Sequence, residues 1–372
     1  MKNRGKDVYI TGVGSYSPGD PIPFNRIEDV LGKITEAPPK LLNWIERVRP
    51  IFRELLGIDA YYYALDPVTR RPTEDNVTLS VKSAERALAM AGIEAAEIDL
   101  LVYAGILMEN VCPPTSVLIQ EKLKIPECAD FAIHSNCTSV YKALQLASDL
   151  LANGRYSNAL IVTSQLSSSF LRSEFFNQRL LQKKQVILRW FLCDGSGALV
   201  LTTQKRPIPK QLRVIDTYVD SPGLGLGPDM YCEMGGTRCN PLEVYEKGWH
   251  HLNQNFENIG KVAPGLFRQA RIKMMAGSGI KIEDIKYFLA NIPTKHLNDL
   301  LIGTFKKGLN LKNMVFYTKL AERGYPGPSA ILMALDEFLG ETPLVKGDLV
   351  MSLVTESSKW MHGGFILEYA GK

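Results

Sequence analysis

Short apolar runs alternate with longer amphipathic stretches along the first half of the chain. Four runs rich in Val, Ile and Leu, typical of strands buried on both faces, lie at 8–14, 99–105, 158–164 and 197–203. Between the first two runs, apolar residues recur at helical spacing, with Asp75 and Gly92 as the expected capping residues. This alternation predicts a layered α/β fold.

The same rhythm restarts after a polar, proline-containing segment at 203–211. It begins with a long helical stretch at about 241–276, which we expect to be interrupted at Pro264, and continues as alternating strands and helices. Two α/β halves of similar size predict a duplicated architecture, with an N-terminal half at 1–205 and a C-terminal half at 206–372.

The composition of the chain indicates which classes of protein it can belong to. The chain has 372 residues, 45% of them hydrophobic, and a formal net charge of +4 without a long block of like charges. This excludes a disordered chain and disfavours a nucleic-acid partner. The N-terminus enters a strand-like run without a signal peptide, no apolar stretch reaches membrane-spanning length, and the six cysteines form no CxxC pair. We therefore expect a soluble cytoplasmic protein without a metal site.

A cysteine stands at the junction between a strand and an amphipathic helix. The strand "ADFAIH" (129–134) precedes Cys137, and the helix after it runs to Gly154 with its apolar residues on one face. Unpaired amides and the positive end of the helix dipole stabilise a thiolate, lower its pKa and bind an oxyanion. The position therefore predicts a nucleophilic Cys137, with a buried structural cysteine as the alternative.

Four further stretches carry a family resemblance that covers nearly the whole chain. They read "CDGSGALVL" (193–201), "ERGYPGPSAILMAL" (322–335), "KGDLVMSLV" (346–354) and "HGGFILEY" (362–369). Their order, together with the Cys137 junction, resembles the thiolase superfamily and, within it, the β-ketoacyl-acyl carrier protein synthase III group. The resemblance implies a five-layered αβαβα fold with two pseudo-repeated halves, a homodimer, and an acyl group carried as a thioester on Cys137.

The resemblance also implies which substrates and cofactors to expect. The acyl donor is a thioester of coenzyme A or of the phosphopantetheine of an acyl carrier protein, and no other cofactor is needed. Coenzyme A contacts typical of the group are not evident in "FRELLGIDAYYYALDPVTRRPTED" (52–75), which makes a carrier-protein donor at least as plausible.

The chain departs from the group at two of its catalytic positions. Where the group has Ile-Pro-His-Gln-Ala-Asn, the stretch "YFLANIPTKHLNDLL" places Asn291 or Thr294 at the histidine position. Where the group has Gly-Asn-Thr-Ser, Tyr325 replaces the asparagine. In the group, His and Asn stabilise the enolate that forms when malonyl thioester loses carbon dioxide. We therefore expect little decarboxylative condensation by this chain.

The resemblance and its departures define a set of candidate site residues. The candidate catalytic residues are Cys137, Asn291, His296 and Tyr325. His296 is the first candidate base because it follows the histidine strand of the group closely. Weaker candidates of the same kind are His362, Glu356 and Asp299. The oxyanion hole is expected from Cys137 and from the closing turn at Ser357 and Ser358.

An insertion at 166–192 is basic and contains several aromatic residues. It carries five basic side chains against one acid, Glu174. Such a surface can receive an acidic carrier protein, and the alternative is an amphipathic cap at the dimer interface. We expect the homodimer interface to include part of this basic insertion and the strand at about 158–164, because a monomer leaves apolar strand edges open.

These features predict an acyltransferase of the ketosynthase III type. It loads an acyl group on Cys137 and transfers it, without decarboxylation, to a second nucleophile in fatty-acid-like, polyketide or secondary metabolite biosynthesis. One alternative is a 3-oxoacyl-acyl carrier protein synthase that forms carbon–carbon bonds with a different base. Another is a catalytically weak partner subunit of an active ketosynthase.

Overall fold

The structure, a computed structural model, describes residues 5–234 and 240–371. The strands in this part of the chain are β1 (Tyr9–Tyr16), β2 (Leu100–Gly105), β3 (Ala129–His134), β4 (Asn158–Leu166), β5 (Asp194–Thr202), β6 (Leu212–Asp220), β7 (Met230–Tyr231), β8 (Asn253–Gln254), β9 (Ile285–Ala290), β10 (Val315–Tyr317), β11 (Leu349–Glu356) and β12 (Met361–Tyr369). The α-helices are α1 (Ile27–Leu31), α2 (Pro39–Leu56), α3 (Asn76–Ala91), α4 (Thr115–Leu123), α5 (Ser139–Ala152), α6 (Ser168–Leu171), α7 (Lys183–Val186), α8 (Pro241–Glu246), α9 (Phe256–Ser278), α10 (Lys295–Lys306), α11 (Leu320–Arg323) and α12 (Ala330–Glu341). None of these helices is long and apolar enough to cross a membrane.

Ten strands form two five-stranded units with the same topology. The first unit has the order β3-β2-β4-β5-β1 and the second β10-β9-β11-β12-β6. In each unit the first three strands in this order are parallel to one another. The fourth strand pairs antiparallel with both the third and the fifth. The units meet where β1 pairs with β6 over only two residue pairs, Tyr9 with Arg213 and Ile10 with Leu212. The chain therefore contains a duplicated α/β unit.

Helices cover both faces of each unit. Helices α3 and α4 pack on the outer face of the first unit, and α9 packs on the outer face of the second, with α10 against it. Helices α5 and α12 contribute to the central core between the units. This is the predicted five-layered αβαβα order. The chain passes from one unit to the other between β5 and β6, near the domain boundary at 205, which remains a prediction.

Helix α5 is held rigidly at the centre of the molecule. Its residues Val140, Ala147 and Leu151 are at most 1% exposed. Gly363 of β12 makes this close approach possible, because a Cβ atom there would lie 2.7 Å from Cβ of Tyr141. The residue just before the helix, Cys137, is therefore fixed relative to both sheet units.

The long helical stretch expected at 241–276 is two helices, α8 and α9, separated by a segment that contains the short strand β8. Contrary to the prediction, α9 is not interrupted at Pro264. The carbonyl left without its usual donor belongs to Gly260, which is partly exposed, so that water can replace the missing hydrogen bond. The unbroken helix places its buried face along the cavity described below.

The strand expected at the dimer interface lies inside the sheet. Strand β4 is paired on one side with β2 and on the other with β5, so the predicted open edge at 158–164 is wrong. Strand β3 ends the sheet instead, and most of its residues are exposed, including Phe131 at 39%. The pattern of Val, Ile and Leu did not reveal this because interior and edge strands of a parallel unit are both apolar.

The basic insertion at 166–192 folds into short helices that pack on the N-terminal part of the chain. Its apolar side chains share a core with those of α1 and α2. Arg189 is 1% exposed and donates hydrogen bonds to the main-chain carbonyls of Leu171, Leu31 and Gly32. This basic residue is therefore a structural anchor, whereas Arg179 and Lys183 remain exposed.

Candidate active site

A cavity of about 600 Å³ lies between the two halves of the molecule. One wall comes from the core built on the basic insertion and includes Phe170, Phe191 and Leu252. The opposite wall comes from the core around α9 and includes Phe267 and Trp360. A polar strip that contains Cys137 lies between these two apolar walls. The shape suits a thiol that must meet two substrates with apolar parts.

The thiol of Cys137 faces the hydroxyl of Tyr325. Their Sγ and Oη atoms are 3.2 Å apart. Tyr325 is 4% exposed, and burial raises the pKa of its phenol, so that the hydroxyl is a neutral donor. Two contacts with the end of the basic insertion hold it: a β-bridge to Leu192, and a hydrogen bond from the amide of Cys193 to the Tyr325 carbonyl.

The buried carboxylate of Glu356 accepts several hydrogen bonds from the loop that carries the thiol. Glu356 is 2% exposed, at the end of β11. It accepts hydrogen bonds from the amides of Asn136 and Thr138, at 3.2 and 2.8 Å, on either side of Cys137. It also accepts from the hydroxyls of Thr138, Ser135 and Ser358. Residue 356 of the second half thereby fixes the strand–helix junction of the first half.

This carboxylate overturns the expected effect of the helix start on the thiol. Burial, and then the charge of Glu356, raise the pKa of Cys137 to about 12, against the smaller opposing effect of the Tyr325 hydrogen bond. The prediction of a lowered pKa is therefore wrong. Helix α5 begins at Ser139, and the neighbouring amides that were expected to stabilise a thiolate already bind a carboxylate.

Asn291, and not Thr294, lies at the cavity. Asn291 follows β9 directly, is 2% exposed and donates from Nδ2 to the hydroxyl of Tyr141 over 3.4 Å. Thr294 instead caps α10 by accepting a hydrogen bond from the amide of Leu297 over 3.2 Å. The structure therefore favours the alignment on the strand over the alignment on the downstream helix.

The histidines named as candidate bases lie away from the thiol. His296 is exposed on α10 and does not line the cavity, because the first turn of this helix directs it to solvent. His362 is 1% exposed on β12, where it contacts the hydroxyl of Thr355 over 3.1 Å and burial lowers its pKa to about 4. Asp299 is exposed and pairs with Lys295. The expected base at His296 is thus not supported by its position.

Two residues outside the main candidates from the sequence, His134 and Glu356, line the cavity. His134, at the end of β3, is the one of the five histidines that does so. Glu356 was a weak candidate, although an acidic residue in a turn that is glycine-rich in the resembled group was a usable signal. Ser357 and Ser358 also line the cavity, and their role in an oxyanion hole remains a prediction.

The cysteines do not form disulfides in the described residues, including Cys232, which lines the cavity with Cys137. Cys112, Cys128, Cys193 and Cys232 are free, as is Cys137. Cys239, the sixth, lies outside the described residues. Within the described ranges there is also no group of three or more side chains that suits a metal ion.

Comparison with known proteins shows which family the chain resembles. Residues 131–223 match the family model for 3-oxoacyl-[acyl-carrier-protein (ACP)] synthase III. The beta-ketoacyl-[acyl-carrier-protein] synthase III of Clostridium perfringens strain SM101 is 27% identical over 347 residues, covering 93% of this chain and 94% of that protein. The chain is therefore similar, over 93% of its length, to a ketosynthase III. Proteins of this group need no cofactor beyond the acyl thioester.

Solved structures of ketosynthases share the whole fold. AbyA1, described as a tetronic acid condensing enzyme, is 21% identical, covers 97% of this chain and 99% of its own, and has a TM-score of 0.81. The 3-oxoacyl-[acyl-carrier-protein] synthase III of Aquifex aeolicus is 18% identical, covers 97% and 100%, and has a TM-score of 0.73. These likenesses confirm the predicted thiolase fold for this ketosynthase III-like chain.

Replacing Glu356 by glutamine is expected to make Cys137 more reactive as a free thiol. Removal of the negative charge lowers the pKa of Cys137, which should raise the rate of alkylation by iodoacetamide at pH 8.5 by roughly three- to tenfold. The measurement is the rate of carbamidomethylation of the peptide containing Cys137 as a function of pH.

Asp336→Asn is the matched control for this experiment. Asp336 is a partly buried carboxylate that accepts a hydrogen bond from Ser15 over 2.6 Å and does not line the cavity. It should leave the alkylation profile unchanged. An unchanged or slower profile in Glu356→Gln would show that the charge of Glu356 does not control the thiol.

Proposed function

We propose that the protein is an acyltransferase that carries an acyl group on Cys137 and passes it to a second nucleophile without decarboxylation. The observation that carries the proposal is the cavity that holds the Cys137 thiol, with the Tyr325 hydroxyl 3.2 Å away and Asn291 in its wall. Thiol and cavity support transfer, and neither Asn291 nor Tyr325 is the His or Asn that decarboxylation uses in the group. The setting is fatty-acid-like, polyketide or secondary metabolite biosynthesis.

The first half-reaction is a thioester exchange. The Cys137 sulfur bonds to the carbonyl carbon of the donor, the bond from that carbon to the pantetheine sulfur breaks, and the thiol proton ends on the departing sulfur. The neutral Tyr325 hydroxyl donates a hydrogen bond to the sulfur of Cys137 and holds it toward the cavity. The amide of Cys137 itself and the amides in the turn at Ser357 and Ser358 are our candidates for stabilising the tetrahedral oxyanion.

The donor is a thioester of coenzyme A or of an acyl carrier protein. The exposed Arg179 and Lys183 belong to the insertion that walls the cavity. Lys184 contacts the hydroxyl of Tyr231 over 3.1 Å, and Tyr231 lines the cavity itself. We propose that these positive side chains receive an acidic carrier protein at the mouth of the cavity.

A second candidate function is the formation of a carbon–carbon bond with an already activated carbon as the nucleophile. It is favoured by the likeness of the whole chain to AbyA1, whose description names a condensing activity that yields tetronic acid. The two candidates share the acyl-Cys137 intermediate and differ only in the atom that attacks it. A catalytically weak partner subunit is disfavoured, because such a subunit needs neither the thiol nor the open cavity.

Acylation of Cys137 is the direct test of the proposal. Incubation of the protein with acetyl-, butyryl- and octanoyl-coenzyme A is expected to add one acyl mass for at least one donor. Peptide mapping should place the adduct on residues 134–154, and Cys137→Ala should remove it without changing the circular dichroism spectrum. Cys193→Ala, in a buried free thiol outside the cavity, should leave the adduct intact. Acyl transfer by Cys137→Ala at the normal rate contradicts a covalent mechanism.

Malonyl-acyl carrier protein is expected to be a poor substrate for decarboxylation. Replacement of one donor of an oxyanion site typically costs about 3 to 4 kcal/mol, or two to three orders of magnitude in rate, and two donors are replaced here by Asn291 and Tyr325. The measurement is the release of labelled carbon dioxide, with a typical synthase III as the reference. Release at the rate of the reference enzyme shows that another group, with His134 the first to test, replaces the missing donors.

We also propose that the protein forms a homodimer in which the β3 strands of two copies pair. The exposed edge of β3 supports this, since an unpaired apolar edge favours association. Phe131→Glu is expected to give a monomer in light scattering at micromolar concentration. Val315→Glu is the matched control, because Val315 is 49% exposed on β10 at the opposite edge of the sheet. A monomeric native protein, or a dimer that only Val315→Glu disrupts, contradicts this interface.

A further inference from the structure

The side-chain amide of Asn291 is oriented by a chain of hydrogen bonds behind the cavity. Ser352 donates its hydroxyl hydrogen to the main-chain carbonyl of Leu289 over 2.9 Å. The hydroxyl of Tyr141 lies 2.8 Å from Oγ of Ser352, and Nδ2 of Asn291 lies 3.4 Å from the hydroxyl of Tyr141. Ser352 and Tyr141 are 0% exposed, so that water does not intervene from bulk solvent.

The carbonyl at the end of this chain determines the direction of every bond in it. The carbonyl of Leu289 only accepts, so the single hydroxyl hydrogen of Ser352 is used there. Tyr141 must then donate to Ser352, and its hydroxyl has only lone pairs left for Asn291. Burial raises the pKa of Tyr141, which keeps this phenol neutral with its hydrogen in place. The amide of Asn291 therefore turns Nδ2 toward Tyr141 and Oδ1 away from it.

The carbonyl oxygen of Asn291 has no hydrogen-bond partner within residues 5–234 and 240–371. Asn291 is 2% exposed and lines the cavity beside Cys137. Nearly all buried polar atoms in folded proteins are paired, and an unpaired one at a binding cavity is explained most simply by a group that the ligand supplies. Since Oδ1 accepts only, that group must be a donor.

Other unpaired atoms in the wall of the cavity are also mostly acceptors. Gln165 and Gln254 are 3% and 6% exposed, line the same cavity, and have carbonyl oxygens without partners among the described residues. The one comparable donor in the lining is the indole N–H of Trp360. The excess of acceptors fits a ligand with hydrogen-bond donors better than a malonyl unit, whose carboxylate and thioester oxygens only accept.

We propose that Asn291 selects an acceptor substrate that carries a hydroxyl group, by accepting a hydrogen bond from that hydroxyl at Oδ1. This inference rests on the proposed transfer of an acyl group from Cys137. It reverses the role of the position in the resembled group, where a histidine donates to a thioester oxygen. A neutral hydroxyl is preferred to an amine because a buried ammonium group needs a counter-charge, and the nearby carboxylate of Glu356 already accepts hydrogen bonds from several donors.

The transfer step needs only the acylated Cys137 and the acceptor as reactants. The acceptor oxygen bonds to the acyl carbon, the bond from that carbon to the sulfur of Cys137 breaks, and the hydroxyl hydrogen of the acceptor ends on the sulfur. Tyr325 stabilises the sulfur as its bond breaks, and Asn291 orients the acceptor hydroxyl as it attacks. Asn291 is thus a substrate-binding residue, whereas Tyr141 and Ser352 act through it as positioning residues.

The test uses the full chain, acylated at Cys137 by the coenzyme A thioester that loads best and freed of excess donor. Three N-acetylcysteamine thioesters of nearly equal size are then compared: glycolyl, with a hydroxyl group, and glycyl, with an amine, are acceptors, and propionyl, whose methyl group cannot accept an acyl group, measures discharge by water. Loss of the acyl adduct is followed by intact mass, and the product by its own mass. We expect glycolyl to discharge the protein at least about tenfold faster than propionyl.

Variants separate recognition from stability. Asn291→Leu should lose the preference for glycolyl over propionyl, measured on protein already acylated at Cys137. Ser352→Ala frees the hydrogen of Tyr141 to bond to Oδ1 and should lower the preference without touching the cavity. Ser196→Ala is its matched control, since Ser196 is equally buried and donates to the carbonyl of Leu79 over 2.6 Å, outside this chain of bonds. It should keep the preference.

The outcomes distinguish this inference from the function on which it rests. Absence of acylation in the native protein overturns the proposed function. If the protein is acylated normally but glycolyl and propionyl discharge it equally, the selection of a hydroxyl is overturned, whereas the acyl-Cys137 intermediate is retained. If glycyl discharges it fastest, the choice of a hydroxyl over an amine is overturned. A preference that survives Asn291→Leu removes Asn291 from the site. An equal loss in Ser196→Ala and Ser352→Ala shows a general effect on stability and overturns the positioning chain.

Discussion

The rest of the site depends on the hydrogen bonds that the amides of Asn136 and Thr138 donate to the carboxylate of Glu356. It connects the end of β11, in the second half, with the junction between β3 and α5, in the first. A buried carboxylate is costly unless several donors compensate it, and the donors here all belong to the cysteine loop or to the turn that follows Glu356. One side chain therefore fixes the position of the thiol and, together with burial, keeps it protonated.

A protonated resting thiol changes how the chemistry must start. A thiolate at a helix start reacts with many electrophiles, whereas the thiol of Cys137 becomes nucleophilic only as its proton leaves. The attack is then coupled to the arrival of a leaving group that accepts the proton. The phenol of Tyr325 keeps the sulfur oriented without removing that proton, since its own pKa is raised by burial. In the proposed mechanism, this arrangement favours reaction with a bound thioester over reaction with other electrophiles.

The alternation of apolar runs was sufficient to predict the α/β class, the two units and most strands, because each run is long and buried on both faces. It did not distinguish an interior strand from an edge strand, since β3 and β4 both contain apolar runs, although most residues of β3 are exposed and most of β4 are buried. It placed a break at Pro264 because local rules do not register whether water can reach the freed carbonyl.

Within the site, Cys137 and Tyr325 were identified from motifs that stay at fixed places in the chain. The base at His296 was misplaced because nearness in sequence on a helix does not fix the direction of a side chain. Glu356 was underrated for the opposite reason. Its partners, Ser135 and Thr138, are more than two hundred residues away, and only the folded chain brings them together.

The duplication of the α/β unit gives the Cys137–Tyr325 pair a geometric meaning. Cys137 precedes α5 in the first unit, and Tyr325 precedes α12 in the second, so that thiol and phenol occupy equivalent places around an approximate twofold axis. Helix α5 contacts the turn at 327–329 between Tyr325 and α12. The distance between the Cys137 sulfur and the Tyr325 oxygen therefore depends on how the two units pack against each other. A change in this packing would alter the reactivity of the thiol, even if every residue of the cavity stayed the same.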